Sequence, residues 1–323
     1  MQLEQDMVKA ILPDIAHFLQ DQVKIRIGPD GILFFDRSTG VNVLIDEFCP
    51  SREFWHKAPR HVSIAITNAC DLNCYHCFAP KYPAKLNVER LIAWLVELDA
   101  NGCIGVGFGG GEPTLYRELS SVCRYVAKET KMAVTITTHG HRIEDRLAAD
   151  LKGNVHFIRV SMDGIGATYE KIRKKSFSSF LRQLELIREI APFGINYLVN
   201  HMTFPEIDDA IALATEIGAT EFLLLPEQPT KRSNGIDNYT RQALSRWVEL
   251  YDGPVPLTVS EAGSEGLPIV NPLPKETGLR AYAHIDASGI LKRSSYDTYG
   301  VPIGAGGVME ALELLQSLTE DTK

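Results

Sequence analysis

Three cysteines within eight residues constrain this chain more than any other feature. Cys70, Cys74 and Cys77 have the spacing C-x3-C-x2-C, directly after a strand-like apolar run at residues 62–67. A 4Fe–4S cluster takes four protein ligands when it is fully held by cysteine, so three thiolates leave one iron open. An open coordination position is where a substrate or cofactor binds. The spacing therefore predicts one catalytic 4Fe–4S cluster.

The alternative for the same loop is a structural zinc site with no turnover. Zinc sites of that kind usually take a fourth Cys or His from a second knuckle nearby. His76 lies inside the loop, at a position where its backbone is committed to the turn. The three cysteines favour the cluster, and zinc stays open as the alternative.

A glycine-rich segment follows one strand-helix unit later, at residues 105–114, with the sequence GVGFGGGEPT. Glycines let the backbone approach a ligand closely because no side chain intervenes. By itself such a run is a common loop and weak evidence. At this distance from the cysteines, however, the pair of motifs resembles the radical S-adenosylmethionine (SAM) superfamily.

The resemblance implies both chemistry and ligands. In that superfamily the amino and carboxylate groups of SAM occupy the open iron, and the reduced cluster cleaves SAM to methionine and a 5'-deoxyadenosyl radical that abstracts hydrogen from the substrate. A reductase such as flavodoxin or ferredoxin is expected to supply the electron. The cluster ligands, which are also the catalytic residues, are then Cys70, Cys74 and Cys77. The residues expected next to bound SAM in these two motifs are His76, Gly110, Gly111 and Glu112, the last three at its methionyl ammonium.

Strand-like and helix-like segments alternate six times from residue 62, with short connections. This order predicts parallel strands joined by right-handed crossovers. It resembles the partial (β/α)6 TIM-like barrel of the superfamily, over residues 61–252. In such barrels the site lies at the carboxyl ends of the strands.

Residues at those strand ends complete the expected SAM site. By resemblance, Ser161 and Asn200 contact the ribose, and Arg173, expected at a helix start, pairs with the SAM carboxylate. The further cofactor contacts implied are Thr138 and Leu225, the latter beside adenine. Each has a structural alternative, since Ser161 and Thr138 suit helix caps and Arg173 suits a surface. His139 stands where the family often has Asn, and its role is open.

Two further segments flank the barrel. Residues 1–60 predict a small α+β appendage, with a helix over residues 3–20 and a three-stranded meander. It is expected either to cap the core or to dock a partner or leader peptide by strand addition. Residues 253–323 contain a hairpin at 282–293 and a closing helix at 308–318, and they resemble a SPASM or twitch extension. No cysteine follows Cys123, so this extension holds no all-cysteine auxiliary cluster.

Bulk composition narrows the class of protein. The net charge of −8 argues against a general nucleic-acid-binding face, which needs a surplus of Lys and Arg. The amino terminus lacks the pattern of a signal peptide, and no apolar run approaches the roughly 18 residues that span a bilayer. A cytoplasmic location is expected, without membrane association.

The predicted function is hydrogen abstraction from a peptide, most simply a ribosomally made precursor, leading to epimerisation, cross-linking or backbone excision. The grounds are the resemblance of the tail and the small appendage, which we expect to grip a peptide at the carboxyl ends of the strands. A separate leader-peptide-binding protein is a further expected partner. The alternative substrate is a nucleotide, a tRNA or a small molecule of another kind, although the net negative charge of the chain disfavours tRNA.

Overall fold

The computed structural model of the chain describes residues 23–48 and 50–320. The helix expected at residues 3–20 lies outside them. A small antiparallel sheet comes first, in the order β1-β2-β3, which confirms the predicted meander. Its strands are β1 (Val23–Gly28), β2 (Gly31–Asp36) and β3 (Asn42–Ile45).

A parallel sheet forms the barrel. Its six strands are β4 (His61–Thr67), β5 (Gly105–Gly110), β6 (Ala133–Thr138), β7 (Phe157–Met162), β8 (Phe193–Val199) and β9 (Phe222–Pro226). Each strand pairs in parallel with the next one along the chain. This is the partial (β/α)6 barrel that the alternation predicts.

Helices cover the outer face of this sheet. They are α1 (Val88–Ala100), α2 (Leu119–Glu129), α3 (Asp145–Leu151), α4 (Gly166–Arg173), α5 (Phe177–Arg188), α6 (Ile207–Glu216) and α7 (Asn238–Glu249). The Asn87 side chain caps α1 by accepting a hydrogen bond from Arg90 N, the usual role of Asn at that position. The expectation that Arg173 starts a helix is wrong, because it is the last residue of α4. None of the described helices is both long and apolar enough to cross a membrane.

The two faces of the barrel strands differ in chemistry. On β4, Val62 and Ile64 are fully buried and belong to the apolar core. Ser63 between them points to the opposite, concave face, as the alternation of side chains along a strand requires. On β5 that concave face consists of glycine alone, at Gly105, Gly107 and Gly109, so one wall of the barrel interior is bare backbone.

The carboxyl-terminal segment joins the same sheet. Its strands are β10 (Leu257–Val259), β11 (Tyr282–Ile285), β12 (Ile290–Lys292) and β13 (Val301–Pro302). The predicted hairpin is present as β11 and β12, and β11 also pairs in parallel with β4, where Tyr282 lies opposite His61. The closing helix α8 (Gly307–Glu320) is held at its start by Glu97, whose carboxylate accepts from Val308 N at 2.7 Å.

The small sheet packs at the amino ends of the barrel strands. Arg26, 2% exposed, donates to Glu276 Oε1 at 3.0 Å and to Gly102 O at 2.8 Å, just before β5. Arg37 donates to Thr130 O at 2.7 Å, just before β6. The described part of the appendage therefore caps the end opposite the cysteine loop. The expectation that it grips a substrate at the carboxyl ends is wrong for these residues.

Candidate active site

The cysteine loop runs from the end of β4 to the start of α1 and is closed at its base. Asn68 N donates to Ala84 O at 2.9 Å, and Leu86 N donates to Ile66 O at 3.0 Å. A tight turn from Cys74 O to Cys77 N, at 3.3 Å, shapes its tip. Because both ends are tied to β4, the loop is placed at the carboxyl end of the barrel.

The three thiols of this loop suit a cationic centre. They form no disulfide. Burial raises the pKa of the Cys70 and Cys74 thiols, and the charge of neighbouring thiolates raises them further. A bound cation reverses both effects, since a coordinating thiol is deprotonated outright. The donor set therefore fits an iron–sulfur cluster that supplies positive charge.

The spread of the sulfur atoms argues against a single zinc ion. Thiolates on one tetrahedral zinc sit at about 2.3 Å from the metal, which brings them within about 4 Å of each other. Among the described residues, the ligand atoms that lie within 4.8 Å of one another are those of Cys70, Asp71 and His139. Cys74 and Cys77 are not in that group, so the three sulfur atoms do not all lie within 4.8 Å of one another.

The glycine motif packs directly against the cysteine loop. Gly110 has a φ of +126°, and a Cβ placed there would lie 2.2 Å from Thr67 O. At Gly111 a Cβ would lie 2.2 Å from Ala69 O, while Gly111 N donates to Thr67 O at 2.8 Å. These two positions need glycine because the loop backbone touches them. Their expected contact with SAM stays a prediction.

Glu112 is buried, at 1% exposure, and its carboxylate is surrounded by donors. Oε1 accepts from Thr138 Oγ1 at 2.6 Å and from Thr114 Oγ1 at 2.7 Å. Oε2 accepts from His139 N at 2.9 Å. Thr138, expected as a cofactor contact, here orients the carboxylate that the family resemblance implies for the SAM ammonium.

His139 connects Glu112 to the cysteine loop. Its Nδ1 accepts from His141 N at 3.1 Å, which leaves the ring hydrogen on Nε2 in the neutral form. Nε2 lies 2.9 Å from Asp71 Oδ1 and 3.3 Å from Glu112 Oε2. The ring therefore stands between two carboxylates, one of them adjacent in sequence to Cys70.

A buried ion pair lies beneath the loop, between Arg173 and Asp163. Arg173 Nε is 2.5 Å from Asp163 Oδ2, and His76 Nε2 is 3.2 Å from the same oxygen. Burial alone would raise the pKa of Asp163, but the Arg173 guanidinium and His76 outweigh it and hold the pKa at about 2. Arg173 thus has an internal carboxylate partner. Its expected pairing with the SAM carboxylate stays a prediction, as does the role of His76, whose Nδ1 is buried without a partner.

The far side of the barrel mouth also contacts the loop. Asn200, immediately after β8, donates to Tyr75 Oη at 2.8 Å and to Glu227 Oε2 at 2.6 Å. Glu227 follows β9 and is 4% exposed. Asn200 therefore links the cysteine loop to the end of the sixth barrel strand, and its expected contact with ribose is untested.

Two polar side chains on neighbouring strands keep hydrogen-bonding capacity free. Ser161 on β7 and Asn196 on β8 are paired in register on the concave face. Ser161 makes no side-chain hydrogen bond to a described residue, and Asn196 Oδ1 is buried without a partner. Leu225, within β9, lies half-buried near the mouth. A buried orphan acceptor is costly unless a ligand or water satisfies it, so this pair indicates a ligand position.

Sequence reasoning missed several of these residues for an identifiable reason. Asn196 lies mid-strand, and Glu227 lies in a loop that no motif marks. Only the parallel register brings Asn196 beside Ser161. Asp71 had a visible signal, because it directly follows a ligand cysteine, but its partner His139 is 68 residues away.

Comparison with known proteins identifies a domain within this chain. The sequence model of the radical SAM superfamily matches residues 64–215, which include the cysteine loop and the glycine motif. These residues form a radical SAM domain. The cofactors of such a domain are a 4Fe–4S cluster and SAM, which confirms the predicted cofactors and marks the chain as an enzyme.

Two curated relatives show what known proteins this chain is similar to. It is 31% identical over 159 residues to Fe-coproporphyrin III synthase of Methanosarcina barkeri, covering 47% of this chain and 40% of the relative. It is 28% identical over 223 residues to mycofactocin maturase MftC of Mycobacterium ulcerans. This match covers 67% of this chain and 59% of the relative. The chain thus spans about half the length of the curated relatives it matches.

The fold is similar to that of Streptococcus suis SuiB bound to its precursor peptide SuiA. The TM-score is 0.68 at 13% identity, and the match covers 85% of this chain and 82% of SuiB. At that identity the likeness concerns the fold alone. It includes more than the radical SAM domain, since it extends well beyond residues 64–215.

Proposed function

We propose that this radical SAM enzyme cleaves SAM reductively and abstracts hydrogen from a peptide substrate, most simply a ribosomal precursor. When bound, the cluster and SAM together supply a 5'-deoxyadenosyl radical. The observation that supports this proposal best is the contact between the two motifs, where the Gly111 backbone and the Glu112 carboxylate pack against the loop of the three cysteines.

The residues of this chain bind and orient the reactants. Glu112 offers a negative charge in a buried site, where an ammonium group finds a strong partner. Ser161 and the orphan oxygen of Asn196 are free to bond ribose hydroxyls or substrate amides. On the glycine face of β5, His61 and Thr135 cover Gly107, whereas the nearest atom to a Cβ at Gly109 is 3.9 Å away, so Gly109 leaves space for a ligand near the mouth.

Two observations favour a peptide. The mycobacterial relative is a maturase by name. In addition, among the described residues no strand pairs with the outer edge of β3, where Val41 and Val43 are 53% and 49% exposed. An extended leader peptide, or a partner protein that carries one, adds to such an edge through main-chain hydrogen bonds. This docking site lies at the end of the barrel opposite the cysteines.

A second candidate substrate is an iron porphyrin or a related small molecule. The archaeal relative with 31% identity is named Fe-coproporphyrin III synthase. For that substrate the edge of β3 has no role in turnover, which separates the two candidates.

The first experiment tests SAM cleavage. Anaerobically reconstituted enzyme with dithionite and SAM should release 5'-deoxyadenosine even without substrate. Glu112→Gln should weaken SAM binding by about 1.5 to 3 kcal/mol, because a charged hydrogen-bond partner is replaced by a neutral one. Titration calorimetry measures the binding. Equal affinity in the variant would show that the ammonium lies elsewhere.

The second experiment tests the substrate class. Candidate precursor peptides encoded beside the gene, and iron porphyrins other than Fe-coproporphyrin III, which is the relative's named product, are incubated separately with enzyme, SAM and a flavodoxin or ferredoxin reducing system. Mass spectrometry should show a modified peptide and unchanged porphyrin. Leu44→Pro removes an N–H group on the outer side of β3, since the register directs the Val43 N–H toward β2, and should reduce peptide modification while uncoupled SAM cleavage persists. Turnover of porphyrin alone would replace the peptide proposal with the second candidate.

A further inference from the structure

His139 occupies a position that neither cysteine coordination nor SAM recognition explains. It follows β6 and is 4% exposed. Its Nδ1 is occupied by the His141 amide, so one hydrogen, on Nε2, faces two carboxylates. The distances to Asp71 Oδ1 and Glu112 Oε2 are 2.9 and 3.3 Å. A single N–H cannot fully satisfy both acceptors, and the geometry favours Asp71.

The two carboxylates lie in different parts of the site, one beside a cluster cysteine and the other at the position proposed for SAM. Asp71 directly follows Cys70, and its oxygen lies within 4.8 Å of the Cys70 sulfur. Glu112 is the carboxylate that the proposed function assigns to the SAM ammonium. Its oxygens already accept hydrogen bonds from Thr114, Thr138 and the His139 amide. Besides these donors, His139 Nε2 approaches Oε2 at 3.3 Å, and an incoming ammonium group would displace this weaker contact first.

We propose that His139 is a positioning residue that couples SAM binding at Glu112 to the charge of Asp71 beside the cluster. This inference rests on the proposed function. When the ammonium takes Glu112 Oε2, the Nε2 hydrogen bonds Asp71 alone, and the negative charge next to Cys70 is better neutralised. Nearby charge and hydrogen bonding set the potential of an iron–sulfur cluster. SAM binding is thereby linked to easier reduction of the cluster.

Linkage makes the coupling measurable from either side. If SAM favours the reduced cluster through His139, the reduced cluster favours SAM by the same factor. The ratio of SAM dissociation constants for oxidised and reduced enzyme should therefore change by about fivefold or more when His139 is removed.

The test measures the cluster midpoint potential with and without saturating SAM, by redox titration followed by electron paramagnetic resonance. His139→Ala should reduce the rise in cluster midpoint potential that SAM binding causes. His139→Gln, which keeps an N–H at a similar reach, should restore part of it. Asp71→Asn should raise the potential without SAM, because an anion beside the cluster is lost, and should abolish the coupling. His201→Ala removes an exposed imidazole after β8 and should behave as wild type.

The outcomes separate this inference from the proposed function. If the wild-type protein holds no cluster or does not cleave SAM, the proposed function fails and takes the coupling with it. If the wild type cleaves SAM and His139→Ala keeps the full effect of SAM on the potential, the coupling alone is overturned. Should His139→Ala lose its iron, the variants His139→Gln and Asp71→Asn decide. If SAM shifts the midpoint potential of Asp71→Asn as much as that of the wild type, the inference is overturned.

Discussion

Arg232 donates a hydrogen bond from Nη2 to the carbonyl oxygen of Cys74 at 2.7 Å. Its Nη1 donates to Asn73 Oδ1 at 3.0 Å. Arg232 follows the sixth barrel strand, whereas Cys74 belongs to the loop after the first. The guanidinium therefore joins the two ends of the open barrel across its mouth and holds the cysteine loop from the outside.

Loss of this contact should loosen the cluster. Arg232→Ala should release iron to a chelator about tenfold faster, equivalent to about 1.4 kcal/mol, because a charged donor to the loop backbone is removed. The measurement is the absorbance of the iron–chelator complex over time. Arg241→Ala, which removes a half-buried arginine that donates to Glu265 O and lies away from the cysteine loop in sequence, is the control and should release iron at the wild-type rate. Equal rates for both variants would contradict the clamp.

Iron content tests the ligand set. Anaerobically purified protein should carry about four irons per chain in a single cluster. Replacement of Cys70, Cys74 and Cys77 together by Ala should remove the iron and the brown colour. Cys123→Ala is the matched control, since burial raises the pKa of that thiol and leaves it a poor ligand. Iron that persists in the triple variant would refute the assignment.

The buried pair of Arg26 and Glu276 should govern stability rather than chemistry. Glu276→Leu leaves an uncompensated guanidinium at 2% exposure and should lower the free energy of unfolding by about 3 to 5 kcal/mol. Urea denaturation measures this loss, and the double variant Arg26→Met with Glu276→Leu should recover part of it. Glu189→Ala removes an exposed ion pair with Lys152 and should change stability little. Uncoupled SAM cleavage by the folded fraction should be unaffected in all of them.

His284 should make stability depend on pH. Burial lowers its pKa from 6.5 to about 4, so the folded protein keeps the ring neutral while the unfolded chain binds a proton first. Stability is therefore lost as the pH falls from 6.5 toward 4, by about 2 kcal/mol between pH 6.5 and 5 for this group. His284→Gln should remove that part of the slope in urea denaturation.

The pH dependence of stability with and without His284→Gln is best compared in protein whose Cys70, Cys74 and Cys77 are replaced by Ala. In that background, loss of the cluster at low pH does not contribute to the change in stability. His201→Gln, at an exposed position, should keep the full slope. The same slope in the His284 variant would show that the ring is protonated in the folded state.

Local pattern predicted most of the barrel. The alternation of strand-like and helix-like segments predicted the six parallel strands. Arg173 was misplaced because a helix of eight residues, α4, lies where the sequence shows weak periodicity. A left-handed residue, Lys174, with a φ of +57°, then separates it from α5. A short helix stabilised by tertiary packing leaves little local signal.

The site was predictable only where one motif contained the chemistry. The cysteines and Glu112 stand in contiguous runs. The network of Glu112, Thr138 and His139 depends on β5 and β6 lying side by side, and the pairing of Ser161 with Asn196 depends on strand register. Such contacts are properties of the sheet, and they become visible only when the strands are aligned.

The parallel pairing of β4 with β11 also has a consequence for how the protein folds. Ser63 and Tyr282, whose hydroxyl groups meet across this pair, are 219 residues apart in the chain. At ribosomal rates of 5 to 20 residues per second, roughly 10 to 40 seconds separate their synthesis. During that interval β4 has an unpaired edge, and the cysteine loop hangs from its end. Closure of the sheet is thus among the slow, non-local steps, and the strand that leads into the cysteine loop is one of the last to gain both neighbours.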